Sequence, residues 1–335
     1  MRKKGVRNSS ACDPLSRIDS SLEALGGNKW FCTIDLISGY WQCKMAPQSK
    51  DRSAFNSHMG LFEFKVLPYG MCNAPATFQR LIKIVLRVFL WERCLCYIDD
   101  VIVFGETFEK TLENLELVFG RFRSANLKLK PNKCTLFQTE VLFLGHMVSN
   151  KGISCDPGKV ASVENWPVPT TITEVKSFLG LAGYYRKFIP NFSEIASSLT
   201  ELTKKCKKFV WTDNCQTAFD RLVELLTSAP VLAFPKRTGE CIIDTDASAN
   251  GIGAVLSQVQ DGEERVIAYN SKTLNNDSQR KYCTTYRELL AVVVFVKQFR
   301  HYVWGNHFNE QIMFLWIGLR ILKILKVFWQ DGFPY

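Results

Sequence analysis

The stretch CLCYIDDVIVFG, Cys94 to Gly105, constrains the fold more than any other part of the chain. Its flanks are apolar and rich in β-branched and aromatic residues, which calls for buried strand. Two adjacent carboxylates, Asp99 and Asp100, stand in the middle. Ionised carboxylates in apolar surroundings are costly unless a partner cancels their charge. Two arrangements satisfy such a run. One is a hairpin whose tip is a solvated Asp-Asp turn. The other is a metal site held at that tip.

Another acid bears on the choice. In TIDLISGYWQ, Asp35 also ends an apolar strand. Two strand-borne carboxylates and a neighbour make a ligand set for two Mg²⁺ ions, hard cations that prefer oxygen. Such a pair of ions can activate an attacking hydroxyl and stabilise a leaving oxygen in phosphoryl transfer. The cations would also neutralise the Asp99–Asp100 pair, which removes the objection to an acid pair in an apolar run.

The bulk properties agree. A net charge of +10 favours a polyanionic partner, nucleic acid ahead of an anionic membrane surface. The 335 residues suffice for two or three domains, and 47% hydrophobic with 22% charged residues is a globular balance. The 12 cysteines lie scattered in apolar segments without a CxxC pair. Zinc spacing is thus absent, and the thiols read as reduced and mostly buried, in an intracellular protein. The N-terminus is basic but lacks the apolar core of a signal peptide, so secretion is not expected.

Periodicity predicts strands over 29–37, 61–67 and 140–149, the last entering a turn at Asn150–Gly152. It predicts helices over 74–90 and 107–127, giving an α+β layout. From Asp156 the texture turns helical. Asp156-Pro157 is a helix start, Thr171 with Glu174 is a capping-box pattern, and Asp213 with Gln216 opens another helix. Strands return at Cys241 with a Gly-punctuated hairpin, and 282–303 reads as a helix.

Six blocks carry a resemblance: LGGNKWFCTIDLISGYWQ, SAFNSHMGLFEFKVLPYGMCNAPATFQR, CLCYIDDVIVFG, LKLKPNKCTLF, VLFLGHMVSNKGI and KSFLGLAGYYRKFIPNFS. In this order the chain resembles the reverse transcriptase of gypsy-type (Ty3/gypsy) long-terminal-repeat retrotransposon Pol polyproteins. DTDASANGIGAVLSQ and TTYRELLAVV resemble the ribonuclease H domain that follows it. The resemblance covers about residues 13–309. YIDD alone would be a weak motif; the ordered set is specific.

The resemblance implies a right-hand polymerase palm with truncated fingers over residues 1–155 and a helical thumb over 156–208. A connection over 209–238 and a partial ribonuclease H-like α/β domain over 239–309 follow. Asp35, Asp99 and Asp100 would be the polymerase carboxylates, with Asp100 the least direct ligand. Tyr40 would be an aromatic gate against the sugar 2′ position, excluding ribonucleotides by clash; core packing is its plainer role. Tyr69 and Gly70 match the platform under the incoming nucleotide, although retroviral relatives carry glutamine where Tyr69 stands. Phe143, Leu144, Gly145 and His146 match the hairpin that grips the primer end. Asp246 and Glu288 match the first two ribonuclease H carboxylates, with Asp244 a near neighbour. Glu263 and Glu264 read as surface. Lys204, Lys205, Lys207 and Lys208 are a candidate backbone contact, though such runs are usually just solvated. The implied partners are an RNA template, a DNA primer, an RNA–DNA hybrid and deoxynucleoside triphosphates, with no membrane. Mg²⁺ is the implied cofactor, two ions per active site. The implied location is a cytoplasmic particle or the nucleus.

Both ends depart from the family pattern. Only MRKKGVRNSSAC precedes the segment that family members reach after longer, basic fingers. After Phe308 a strand bearing a third aspartate in a TDH motif is expected, but the chain reads NEQIMFLWIGLRILKILKVFWQDGFPY. Read as a basic amphipathic helix, this tail would lie on a membrane, while Arg320, Lys323 and Lys326 break it as a spanning segment. Joining the third base of each codon to the first two of the next permits RTDH across Asn309 to Met313. The tail 310–335 is therefore expected to be a frameshifted reading, with ribonuclease H activity lost. The rival to the polymerase is a catalytically inactive, nucleic-acid-binding remnant of a retrotransposon, favoured by the two altered ends.

Overall fold

The structure, a computed structural model, describes residues 17–204, 207–236, 238–274, 282–303 and 308–312. The chain divides into two compact units, with the division between Asn150 and Lys151.

The first unit opens with α1 (Ile18–Glu23) and β1 (Trp30–Asp35), followed by the short hairpin of β2 (Phe55–Ser57) and β3 (Gly60–Phe62). Then come α2 (Ala74–Leu86), β4 (Cys94–Tyr97), β5 (Asp100–Gly105), α3 (Phe108–Ser124), β6 (Thr135–Gln138), β7 (Glu140–Phe143) and β8 (His146–Ser149). Strands β4-β5-β1-β6 form an antiparallel sheet in that order. Alternation decides its faces. Cys32 and Ile34 of β1, with Val101 and Val103 of β5, meet Phe78, Ile82 and Leu86 of α2 and Leu115, Val118 and Phe122 of α3 in one core. Those helix residues recur at three- and four-residue spacing, so each helix presents one apolar stripe to the sheet. Thr107 caps α3, accepting the Lys110 N–H at 3.2 Å.

Several boundaries differ from the sequence expectations. The 61–67 run is not one strand: β3 ends at Phe62, and Lys65 and Leu67 instead exchange backbone bonds with Met45 and Cys43. The helix expected over 74–90 ends at Leu86, because the chain must reverse into β4; Trp91 takes φ +73° and donates to the Cys94 carbonyl. The 140–149 run is a hairpin, β7–β8, since Leu144 (φ +47°) and Gly145 (φ +64°) make a two-residue turn of the kind hairpins favour.

The second unit runs through β9 (Gly152–Cys155), α4 (Pro157–Glu164), α5 (Ile172–Tyr184), α6 (Phe192–Ile195), α7 (Ser197–Leu202) and α8 (Asp213–Thr227). Asp156 caps α4 by accepting the Gly158 N–H at 2.9 Å. Thr171 caps α5 as expected, accepting the Glu174 N–H, and the Glu174 carboxylate reaches back over the helix start to Thr170 and Thr171. Phe178 and Phe219 pack rings 4.7 Å apart between α5 and α8. There follow β10 (Cys241–Ala247), β11 (Gly251–Gln260), β12 (Glu263–Thr273), α9 (Thr284–Gln298), α10 (Arg300–Val303) and β13 (Phe308–Ile312). They build a mixed sheet of order β12-β11-β10-β13, with β13 parallel to β10. Cys241, Ile243, Ile252, Ala254 and Leu256 meet Ala291, Val292, Phe295 and Val296 of α9. Sequence periodicity had not separated β12 from its surroundings, and the helix expected over 282–303 breaks at Phe299. The tail after Ile312 lies outside the described residues.

Candidate active site

Register brings the first pair of acids together. Asp35, last in β1, is the direct partner of Asp100, first in β5. Both alternate with the helix-facing residues, so they emerge on the face of the sheet away from α2 and α3. Directly opposed like charges on one face are destabilising. Asp99 sits between β4 and β5, after Ile98, whose φ is +54°. That is a strained conformation for a β-branched residue, costing of order 1–3 kcal/mol and held only by its surroundings. Gln79 of α2 supplies the hold. Its buried carboxamide accepts the Ile98 N–H and donates to the Cys96 carbonyl at 3.2 Å.

Asp99 Oδ1 is buried and has no hydrogen-bond partner. Gly39 makes room for it: a Cβ there would lie 3.2 Å from that oxygen and 2.7 Å from Phe78 Cζ. Burial pushes the Asp99 carboxyl above the usual range, and Asp100 and Asp35 push it further. Asp100 shifts the same way, chiefly through lost hydration and then Asp35, while Lys133 opposes the shift. Lys133 Nζ lies 3.5 Å from Asp35 Oδ2. Two adjacent carboxyls with raised proton affinity, one of them with an orphaned oxygen, together with the Asp35 carboxylate opposite, are the donor set a hard divalent cation would satisfy. Among the described residues no three potential ligands already converge into a closed metal site.

The aromatic residues gather at the same place. Tyr40 packs against Tyr69 at 5.0 Å and edge-on to Phe78 at 5.6 Å, and Trp41 meets Tyr69 at 5.9 Å. Burial, and then the nearby Asp99 charge, raise the Tyr40 hydroxyl. Gly70 follows with φ +93° and open space around its Cα. Phe143 and His146 are buried and pair next to the turn of the β7–β8 hairpin, with Leu144 and Gly145 at its tip. His146 Nδ1 lies 2.8 Å from the Leu144 carbonyl.

Asp246 lies exposed near the end of β10, whereas Glu288 lies on the stripe of α9 that includes Val292 and Phe295. Strand alternation puts Asp246, with Asp244 and Ile242, on the sheet face opposite α9. The fold packs their two elements together in one core. Asp244 is raised by burial and by Glu264. Glu263 and Glu264 are exposed, as expected. Lys204 and Lys207 both pair with Glu201, which takes up part of the basic run; Lys205 lies outside the described residues. All ten described cysteines are free thiols, six of them buried. Sequence reasoning missed Gln79 and Lys133. A glutamine on the apolar stripe of α2 was the available signal for the first; the second carried none.

The chain thus holds an acid-tipped hairpin backed by two helices and, in its second unit, a mixed sheet with strand-borne acids. Comparison with known proteins gives these a family. Residues 3–148 match the reverse transcriptase (RNA-dependent DNA polymerase) family, and residues 211–309 match the RNase H-like domain found in reverse transcriptase. The chain belongs to the reverse transcriptase–ribonuclease H region of Ty3/gypsy-type retrotransposon Pol polyproteins. It is 40% identical over 297 residues to the Retrovirus-related Pol polyprotein from transposon 297 of Drosophila melanogaster, covering 88% of this chain and 28% of the relative. Identity to the corresponding polyprotein from transposon gypsy is 37%, covering 88% and 29%. The Transposon Tf2-3 polyprotein of Schizosaccharomyces pombe is 31% identical, covering 87% and 22%. The chain thus spans under a third of these relatives. A foamy viral protease-reverse transcriptase in complex with RNA/DNA hybrid has the same fold, with a TM-score of 0.78 at 24% identity over 90% of this chain and 41% of that one. Among the described residues no helix is long and apolar enough to cross a membrane.

Proposed function

We propose that the chain is the catalytic part of an RNA-directed DNA polymerase that extends a DNA primer on an RNA template by two-metal nucleotidyl transfer. The observation that carries this reading is the register pair Asp35–Asp100 beside the orphaned Asp99 oxygen. Residues 1–155 are fingers and palm, 156–208 thumb, 209–238 connection and 239–309 a partial ribonuclease H-like domain. Asp35 and Asp99 hold Mg²⁺ and Asp100 flanks them; bound there, the ions supply Lewis acidity toward the primer hydroxyl and neutralise triphosphate charge. Tyr40 stands where a ring can reject a 2′-hydroxyl. Tyr69 and Gly70 form a surface for the incoming deoxynucleoside triphosphate, and the Phe143–His146 hairpin holds the primer end. Asp246 and Glu288 are the nuclease acids. The site of action is a cytoplasmic particle or the nucleus.

The test is primer extension on an RNA template with deoxynucleoside triphosphates and Mg²⁺, alongside template binding. Asp99→Asn is expected to abolish extension while leaving most template binding intact. Extension at the wild-type rate by that variant would overturn the reading.

A further inference from the structure

Lys133 reaches Asp35 along a chain path that is itself fastened to the end of β1. Beyond β1 the chain keeps pairing, now with residues 128–130. Leu36 bridges Leu129, the Ile37 N–H donates to the Lys128 carbonyl at 3.1 Å, and the Lys130 N–H donates to the Asp35 carbonyl at 2.9 Å. Gln42 closes the far end of this ladder. Its carboxamide accepts the Lys128 N–H at 2.7 Å and donates to the Ile37 carbonyl at 2.7 Å and the Lys128 carbonyl at 3.0 Å. A 3₁₀ turn over Pro131–Lys133 follows, with the Lys133 N–H on the Lys130 carbonyl at 2.9 Å. The fixed φ of proline suits the first position of such a turn. The strand end that carries Asp35 thus also holds the backbone from which Lys133 returns, and the ammonium lies 3.5 Å from Asp35 Oδ2. Asp35 in turn directly opposes Asp100, a like-charge pair that a cation relieves.

We propose that Lys133 is the built-in counter-ion of the acid site: its ammonium neutralises Asp35 until a divalent cation takes that carboxylate, so this lysine sets how tightly the site accepts the metal. This rests on the metal reading of Asp35 and Asp99. The backbone of the 128–133 path is held firmly, but the ion pair at its end is not. The Lys133 side chain is 58% exposed and that of Asp35 32%, so water and salt screen the pair and keep it displaceable. Lysine offers a single charge on a flexible four-carbon stem, which can swing away while the turn stays in place. A divalent cation carries twice the charge and takes several oxygens at once, so it wins the competition at a reduced affinity.

The experiment titrates the full chain with Mn²⁺, an oxygen-preferring stand-in for Mg²⁺ that electron paramagnetic resonance detects, without nucleic acid or nucleotide. Asp99→Asn marks the site and should weaken binding both in wild type and in Lys133→Met. Lys133→Met should bind Mn²⁺ about two- to five-fold tighter than wild type, the range that an exposed ion pair spans. Lys133→Arg keeps the charge and should not tighten binding. Lys130→Met removes a like charge from the same turn and should change the affinity by less than Lys133→Met does. Equal or weaker binding by Lys133→Met, with Asp99→Asn still lowering it, would overturn the counter-ion role and leave the metal reading standing. Equal tightening by Lys130→Met would do the same, since general charge would then account for the effect. No saturable binding, or binding that Asp99→Asn leaves unchanged, would overturn the metal reading and the counter-ion role with it.

Discussion

The side-chain carboxamide of Gln79 accepts the backbone N–H of Ile98, and so ties the inner face of α2 to the turn that carries Asp99. The turn is strained at Ile98, and Gln79 is buried. A helix residue twenty positions upstream therefore sets the geometry of the acid pair.

Replacing Gln79 by Ala is expected to leave the Ile98 N–H and the Cys96 carbonyl without their partner. Leaving buried polar groups unsatisfied costs about 1–3 kcal/mol. For a unit of this size each kcal/mol lowers the midpoint of thermal unfolding by roughly 2–4 °C. Calorimetry reads the loss, and amide exchange at Ile98 should quicken. An unchanged midpoint with unchanged exchange would show that the turn holds itself.

The raised carboxyls make a pH prediction. Asp99 and Asp100 bind protons more tightly folded than unfolded. Their contribution is absent below the unfolded carboxylate range, grows destabilising as pH rises from the unfolded to the raised folded values, and is constant above them. Without divalent metal, Asp99→Asn should therefore be more stable than wild type at neutral pH, with the gap closing as pH falls. Mg²⁺ should stabilise wild type and do little for the variant. Thermal melts across pH, with and without Mg²⁺, check both; a wild type that ignores Mg²⁺ counts against the metal reading.

Tyr40 is half-buried and wedged between Tyr69 and Phe78, so its ring position is well defined. Tyr40→Ala should raise ribonucleotide relative to deoxynucleotide incorporation in primer extension. An unchanged ratio would reduce Tyr40 to a packing residue.

The C-terminal strand predicts a loss. Backbone pairing sets Gln311 beside Asp244 on β13, where the family pattern calls for a third acid on that strand. The 335-residue chain should show no Mg²⁺-dependent cleavage of the RNA strand of a hybrid. A gene shifted by one base near codon 309 should recover it. Clear cleavage by the unshifted chain, lost on Asp246→Asn, would refute the frameshift.

The sequence by itself determined which short runs become strands and helices around the acids, because alternation and three- to four-residue spacing are local properties. It placed Asp35 and Asp99 at strand ends, Thr171 ahead of a helix, and Asp156-Pro157 at a helix start. Periodicity alone ran 140–149 together as one strand, since a leucine in a left-handed turn leaves little local mark; the hairpin at Phe143–His146 was legible only through the family resemblance. Only the tertiary structure decided that Asp35 faces Asp100, that Gln79 grips Ile98, that Lys133 reaches Asp35, and that Asp246 lies on the face away from α9. Each depends on register between segments tens of residues apart. A one-residue slip would send every side chain to the other face, and nothing in the local pattern of either partner specifies the other.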